Sequence, residues 1–111
     1  SNYYKKLYDI NSINVEILRK SLTKLSNLAK NEKINLYLTM MPDTFNLENY
    51  KFVYVHKLIE EISKELNYKF IDLYPIFKGK SKNEIWVKFN DPHPNEQSHE
   101  AIANEIYGKI N

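Results

Sequence analysis

The chain contains no cysteine. Disulfide staples, thiolate metal ligands and a cysteine nucleophile are therefore excluded. Glycine is almost missing too, with Gly79 and Gly108 its two examples. A dinucleotide fingerprint, a phosphate-cradling Walker loop and a nucleophile elbow all need closely spaced glycines, and none can be assembled here. Arginine is scarcer still, since Arg19 is the one guanidinium among sixteen basic side chains. Fourteen acidic groups leave a net charge of +2. Bidentate phosphate and guanine contacts favour arginine, and so small a net charge gives little electrostatic pull on a polyanion, so nucleic acid is not an expected partner. No apolar run approaches the roughly 20 residues of a bilayer-crossing helix, and no membrane span is expected. The opening residues Ser1, Asn2, Tyr3, Tyr4, Lys5 and Lys6 lack the apolar core of a secretion signal.

What is present is the balance of a globular domain: 111 residues, 42% apolar and 27% charged. A chain of this length makes one domain, with about two-thirds of its unfolded surface available for burial. Between Ser12 and Lys30 the residues Ile13, Ile17, Leu18, Leu22, Leu25, Leu28 and Ala29 recur at gaps mostly of three and four, which predicts an amphipathic helix capped by Asn11 or Ser12. Tyr3, Tyr4, Leu7, Tyr8 and Ile10 before it read as an extra helical turn or a packed arm. Ile34 to Met41 is a mostly apolar run closed by Pro42, which predicts a strand covered on both faces. A helix from about Leu47 to Leu66 follows, with Asn46 as its cap, Val55, Leu58, Ile59, Ile62 and Leu66 as its buried stripe, and Asn67 as its left-handed end. Lys69 to Tyr74 reads as a second strand, stopped by Pro75. Ile76 to Asn90 reads as loop, with a short extended piece at Glu84 to Lys88. A last helix is expected from about Pro94 to near Lys109, burying Ile102, Ala103, Ile106, Tyr107 and Ile110.

Strand, helix, strand with short joints is a βαβ unit, so the class is α/β with a small parallel sheet. Two interior-type strands make a poor sheet alone. Each wants neighbours, supplied either by a larger doubly wound domain or by a second copy.

One cluster looks chemical. Asn90, Asp91, Pro92, His93, Pro94 and Asn95 precede the last helix. Pro94 suits the first helical position, which would place His93 at or beside the N-cap. The prolines stiffen this turn, and open α/β folds place their sites at the carboxyl edge of the sheet. Asp91 could bond one imidazole nitrogen, fix the tautomer and leave the other nitrogen as a base. The plainer alternative makes Asp, Pro and Asn ordinary turn and cap residues with His93 a passenger.

Asp91-Pro92-His93-Pro94-Asn95, followed by Ser98-His99 and Ala101-Ile102-Ala103, resembles the last motif block of the SGNH (GDSL-like) hydrolases. Leu36 to Pro42 and Phe70-Ile71-Asp72-Leu73-Tyr74-Pro75 resemble strands of the same family, so the likeness covers about Ile34 to Ile110. It implies part of a three-layer α/β/α sandwich of flavodoxin-like type, and hydrolysis or transfer of ester-linked acyl groups by an esterase or acyltransferase. It assigns His93 as general base and Asp91 as the acid that orients it. The commoner spacing, Asp-x-x-His, would put Asn90 in the acid's place. The substrate would be an acyl ester, carbohydrate-linked in one version, with no cofactor and no metal. The compartment stays open, an extracytoplasmic or cell-envelope location among the options.

The family's Gly-Asp-Ser nucleophile block and its oxyanion-hole Gly and Asn have no counterpart here. Residues 1–111 thus resemble the C-terminal half of such a domain: a truncated chain, a proteolytic product or a degenerate relative. Base, nucleophile and oxyanion hole act as a unit, so the isolated chain is expected to be inactive. The competing expectation is a non-catalytic α/β module that self-associates, or binds a partner, through its open sheet edge.

The remaining candidates are weaker. His99 could join Asp91 and His93 in a nitrogen–oxygen metal set, but on a helix it reads rather as a packing or capping residue. His56 reads as a helix-surface histidine, and Asp72 as a structural acceptor for loop amides at the strand end. Trp86 and Phe89 either cover the His93 region or stand exposed. The nine tyrosines suggest half-buried surface or a carbohydrate-facing groove, with no spacing that marks a stacking platform.

Overall fold

A computed structural model describes residues 2–111. The chain is mixed α/β, 55% helix against 14% strand, so helices supply most of the burial. It divides into two compact units: the first runs as far as Leu38 and takes in Tyr54–Phe70, and the second comprises Thr39–Val53 and Ile71–Asn111. In chain order the elements are α1 (Asn2–Leu7), α2 (Ile13–Asn31), β1 (Tyr37–Met40), α3 (Val53–Glu65), β2 (Lys69–Asp72), α4 (Tyr74–Phe77), α5 (Lys82–Ile85), β3 (Trp86–Lys88), β4 (Asp91–Pro94) and α6 (Glu96–Ile110).

The first unit is built on α2 and α3. Ser12 caps α2, its Oγ accepting from the Val15 amide at 3.2 Å and donating to the Leu7 carbonyl at 2.9 Å. Both helices end in the same device. Lys33 (φ 56°) and Asn67 (φ 65°) take the left-handed conformation. The next amides then reach back, Ile34 to the Ala29 carbonyl at 2.9 Å and Tyr68 to the Ser63 carbonyl at 2.8 Å. This double turn satisfies carbonyls that a helix end would otherwise orphan, and Asn tolerates the conformation better than most side chains.

Val15, Leu58 and Ile62 form the buried cluster, with Leu22 and Leu66 packed against it. Ser26 donates to the Leu66 carbonyl at 2.5 Å and the Tyr68 hydroxyl to the Leu22 carbonyl at 2.8 Å. Arg19 pairs with Glu65. Two sequence expectations need correction here. The packed face of α2 is centred on Val15, Ser26 and Ala29, and Ile13, Ile17, Leu18, Leu25 and Leu28 all lie exposed. Small residues at positions 26 and 29 leave room for a hydroxyl-to-carbonyl bond at that contact, which a leucine there would deny. His56 is buried at 3% exposure, not on the surface. At about 100° per residue, the buried set Val55, His56, Leu58, Ile59, Ile62 and Ser63 covers a wider arc of α3 than the usual apolar stripe, and the histidine falls inside it.

β1 and β2 form a two-stranded parallel sheet. The Lys69 amide donates to the Leu36 carbonyl and the Leu73 amide to the Met40 carbonyl, each at 2.9 Å, so donor and acceptor advance together as parallel strands require. Both strands are shorter than the apolar runs suggested, and β1 is half-buried rather than covered on both faces. A two-stranded sheet leaves each strand one unpaired edge, and that edge limits the cover.

The second unit departs further from expectation. Helix α3 starts at Val53, not near Leu47. The Phe45 amide donates to Asp43 Oδ1 at 2.9 Å, the Asp43 amide to the Tyr50 hydroxyl at 3.2 Å, and the Tyr50 ring stacks on Tyr74 at 4.6 Å. Side-chain bonds of this kind compete with helix formation. Burial pushes the Tyr50 phenol up from its ordinary pKa. Asp72 Oδ1 accepts from the Tyr74 amide at 3.0 Å, the structural role expected of it, and the chain turns into α4 where strand was expected to continue. The stretch from Ile76 to Asn90 is not loop throughout, for it holds α5 and β3. Gly79, at φ 82°, makes the turn between α4 and α5. Phe77 and Ile85 are fully buried in this unit.

Candidate functional site

β3 and β4 pair antiparallel, with Trp86 opposite Pro94 and Lys88 opposite Asp91. Val87 alone separates the two pairs on β3, whereas Pro92 and His93 both lie between them on β4. The extra residue is a bulge, a distortion that re-aims side chains and is frequent beside functional sites. Prolines cannot donate to a ladder, which confines such a strand to an edge or an irregularity. The sequence Asp-Pro-His-Pro therefore forms a short, bent edge strand.

Asp91 Oδ1 accepts the His93 backbone amide at 3.1 Å and lies 2.5 Å from His93 Nδ1. One carboxylate oxygen thus holds both the backbone and the ring of His93. The bond to the ring is the main cause that keeps the Asp91 carboxyl below its ordinary pKa; the bond from the His93 amide follows, and Lys88 contributes in the same direction. The imidazole is 83% exposed and the carboxylate 33%. Nε2 has no hydrogen-bond partner among the described residues.

A carboxyl-carbon NMR titration of Asp91 is expected to give a midpoint below that of an aspartate in an unstructured peptide. His93→Ala should move it back up. A lowered folded-state pKa means that the bond favours the folded chain above about pH 3.9, the unperturbed aspartate value, and that this contribution is lost as pH falls through the lowered value. An Asp91 midpoint at or above the ordinary value would contradict the bond.

The far side of His93 is held by Asn95. Its Oδ1 accepts from the Ser98 amide at 2.9 Å and caps α6, while its Nδ2 donates to the Glu84 carbonyl at 2.9 Å and the Trp86 carbonyl at 3.3 Å. Its own amide donates to the Ile85 carbonyl at 2.7 Å. The expectation that His93 stands at the N-cap, with Pro94 first in the helix, is therefore corrected. Asn95 is the cap, Pro94 ends β4 and α6 begins at Glu96. An asparagine amide can accept from the helix and donate to two carbonyls at once, whereas Pro94 serves the ladder end opposite Trp86. Helix α6 is anchored through Ser98, buried and donating to the Ile85 carbonyl at 3.1 Å. Ile102 and Ile106 are half-buried, but Ala103, Tyr107 and Ile110, expected in the core, are exposed.

The other candidates fall outside this arrangement. Asn90 lies in the exposed turn between β3 and β4, without the carboxylate that holds the ring. His99 is exposed on α6. Among the described residues no group of three or more His, Cys, Asp or Glu side chains could hold a metal ion. No helix among them is long and apolar enough to cross a membrane. Trp86 is buried and Phe89, at the hairpin turn, is 84% exposed, so the two aromatics do not act as a pair.

Pro92 and Pro94, the neighbours of His93 in the chain, line a shallow depression of about 460 Å³ of which His93 itself is not a wall. Its walls are Met41, Pro42, Asp43, Thr44 and Phe45, which leave the carboxyl end of β1, together with Pro92 and Pro94. Sequence reasoning missed the part played by Thr44 and Phe45. Thr44 Oγ1 accepts from Trp86 Nε1 at 2.8 Å, and Phe45 packs edge-on against Trp86 with 5.0 Å between centroids. The only sequence signal for this was a threonine and an aromatic directly after a strand-ending proline. Compared with known proteins, the chain matches no family model, no curated protein and no solved structure.

Proposed function

We propose that Asp91 and His93 are the acid–base part of an ester-cleaving or acyl-transferring centre of SGNH-like type. The observation that carries this reading is the 2.5 Å contact of Asp91 Oδ1 with His93 Nδ1, which leaves Nε2 unbonded, while the prolines on either side of His93 line the depression at the end of β1. A carboxylate on Nδ1 keeps the proton there, so the lone pair is on Nε2. Nε2 then takes a proton from an attacking hydroxyl and later returns it to the departing alcohol.

Four serines are committed elsewhere and do not serve as the attacking hydroxyl. Ser98 is buried and bonded to Ile85, Ser26 to Leu66, Ser63 to Ile59 and Ser21 to Ile17. In this proposal a Gly-Asp-Ser block and the oxyanion donors come from polypeptide beyond these 111 residues, and the same polypeptide completes a three-layer α/β/α sandwich around β1 and β2. The open flank of His93 is where such a hydroxyl would enter. The test is turnover of an aryl acetate by the protein that includes the block, with and without the His93 imidazole, and by the isolated chain.

A second reading, a self-associating α/β module, is favoured by one observation. The exposed side of α2 carries Ile13, Ile17, Leu25 and Leu28, with Ser21 and Lys24 between them on the same face, and exposed apolar residues grouped on one helix face can serve as an interaction surface. Sedimentation equilibrium of the isolated chain is expected to give the monomer mass if the enzyme reading holds. A stable dimer whose mass does not change on dilution would favour the module.

A further inference from the structure

A second hollow of the second unit adjoins the depression lined by Pro92 and Pro94. Thr44–Glu48 and Lys80–Asn83 enclose about 510 Å³, and Thr44 and Phe45 line both hollows, so the two adjoin. The cavity is marked by how its cations are placed. Lys82 Nζ lies 5.3 Å from the Trp86 ring centroid and 5.8 Å from that of Phe45, and Lys80 Nζ lies 6.0 Å from that of Phe77. Among the described residues neither ammonium forms an ion pair with a carboxylate. The Glu84 carboxylate is engaged by the Ser81 amide at 2.8 Å. Glu48 is the one acidic side chain on the wall, against two lysines.

A lysine over aromatic faces gives up part of its water and part of its conformational freedom before any ligand arrives. Lys80 and Lys82 are both exposed, so their ammonium groups stay open to an incoming anion while the rings limit where each side chain points. The rest of the lining is uncharged: Thr44, Asn46, Ser81 and Asn83 are polar, Leu47 is apolar, and Phe45 offers a partly exposed ring. Amides and an aromatic face beside a cation suit a polyol or sugar that carries an acid.

We propose that this cavity binds an anionic group, phosphate or carboxylate, on a sugar or polyol whose ester is presented to His93 across the Thr44–Phe45 ridge. The inference rests on the reading of Asp91 and His93 as catalytic for its second half, whereas anion binding at the lysines can be measured without it.

Trp86 is the only tryptophan, so its indole N–H gives one unambiguous signal in a proton–nitrogen NMR spectrum. The chain would be titrated with sn-glycerol 3-phosphate, with D-glucuronate, and with glycerol and glucose as neutral controls. A saturable movement of the Trp86 signal is expected with an acid and not with the neutral compounds. Response to the phosphate alone or to the uronate alone identifies the group. The double variant Lys80→Gln, Lys82→Gln should weaken binding by about tenfold or more, because two charge-assisted contacts are lost. Lys24→Gln with Lys30→Gln, which removes the same charge from α2, should leave it unchanged, as should His93→Ala. No saturable response to either acid, an equal response to the neutral compounds, or full binding by the Lys80/Lys82 variant would overturn the anion site. Loss of turnover in His93→Ala is read separately, so an anion site without a catalytic dyad and a dyad without an anion site give different results.

Discussion

Replacing His93 by alanine is expected to lower ester turnover by about 10⁶-fold in the protein that supplies the Gly-Asp-Ser block, because a hydroxyl nucleophile without its base is nearly inert at neutral pH. Asp91→Asn should cost less, about 10⁴-fold. Its carbonyl could still meet Nδ1, but its amide could equally donate to it and stabilise the opposite tautomer, and the negative charge beside the imidazolium is lost. Both variants should keep their fold. The imidazole is largely exposed, and the backbone around it is also held by the hydrogen bonds of Asn95. Far-ultraviolet circular dichroism checks the fold while kcat is measured. The isolated chain should show no turnover at all, since base and orienting acid do not compensate for an absent nucleophile and oxyanion hole. Unchanged kcat in His93→Ala would remove the assignment.

The second large effect concerns stability. Ile62 is fully buried, and the cluster it belongs to contains Val15 and Leu58 with Leu22 and Leu66 packed against it. Ile62→Ala deletes three carbons there. The loss combines the transfer free energy of those carbons with the cavity left behind, together about 2–5 kcal/mol. Against a total stability of about 5–15 kcal/mol for an ordinary domain, that is a large fraction. The neighbours are two helices whose ends are fixed by the Ser26–Leu66 and Tyr68–Leu22 bonds, so collapse into the cavity is restrained and the upper part of the range is expected. Urea unfolding followed by circular dichroism measures it. A midpoint within error of the parent would mean that the cluster is not the core of the first unit. Leu28→Ala, also on α2 but 61% exposed, is the internal control and should cost far less.

These two sites were legible in the sequence to different degrees. Ile62 stood out because the gaps among Val55, Leu58, Ile59, Ile62 and Leu66 repeat at helical spacing, and α3 buries all of them but Leu66, which is half-buried. The same test misread α2. It selected Ile13, Ile17 and Leu28, which are exposed, and passed over Ser26, which is buried because its hydroxyl closes onto a carbonyl of another helix end. Periodicity shows that a helix has an apolar side but not which side its neighbour takes. Pro92, His93 and Pro94 were conspicuous as a stiffened turn, and Asp91 as a partner two residues away. The cap position assigned to His93 was wrong, because Asn95 has contacts 9 and 11 residues back in the chain that no local pattern displays.

From the sequence alone came the α/β class, a parallel pair of strands, a helix start at Asn11 or Ser12, the left-handed helix end at Asn67, and the exclusion of cysteine, Walker-loop and dinucleotide chemistry. All of these follow from local propensity, hydrophobic period or the lack of a residue type, and need no knowledge of distant neighbours. Tertiary structure decided the rest: the face of α2 that packs, the burial of His56, the bulge that carries His93, and the meeting of Thr44, Phe45, Lys82 and Trp86. Those four residues are brought together by loop closure across some forty positions, as the Thr44–Trp86 bond shows. Such closure depends on which long-range contacts together offset the entropy of ordering the chain, and no short window of sequence contains that sum.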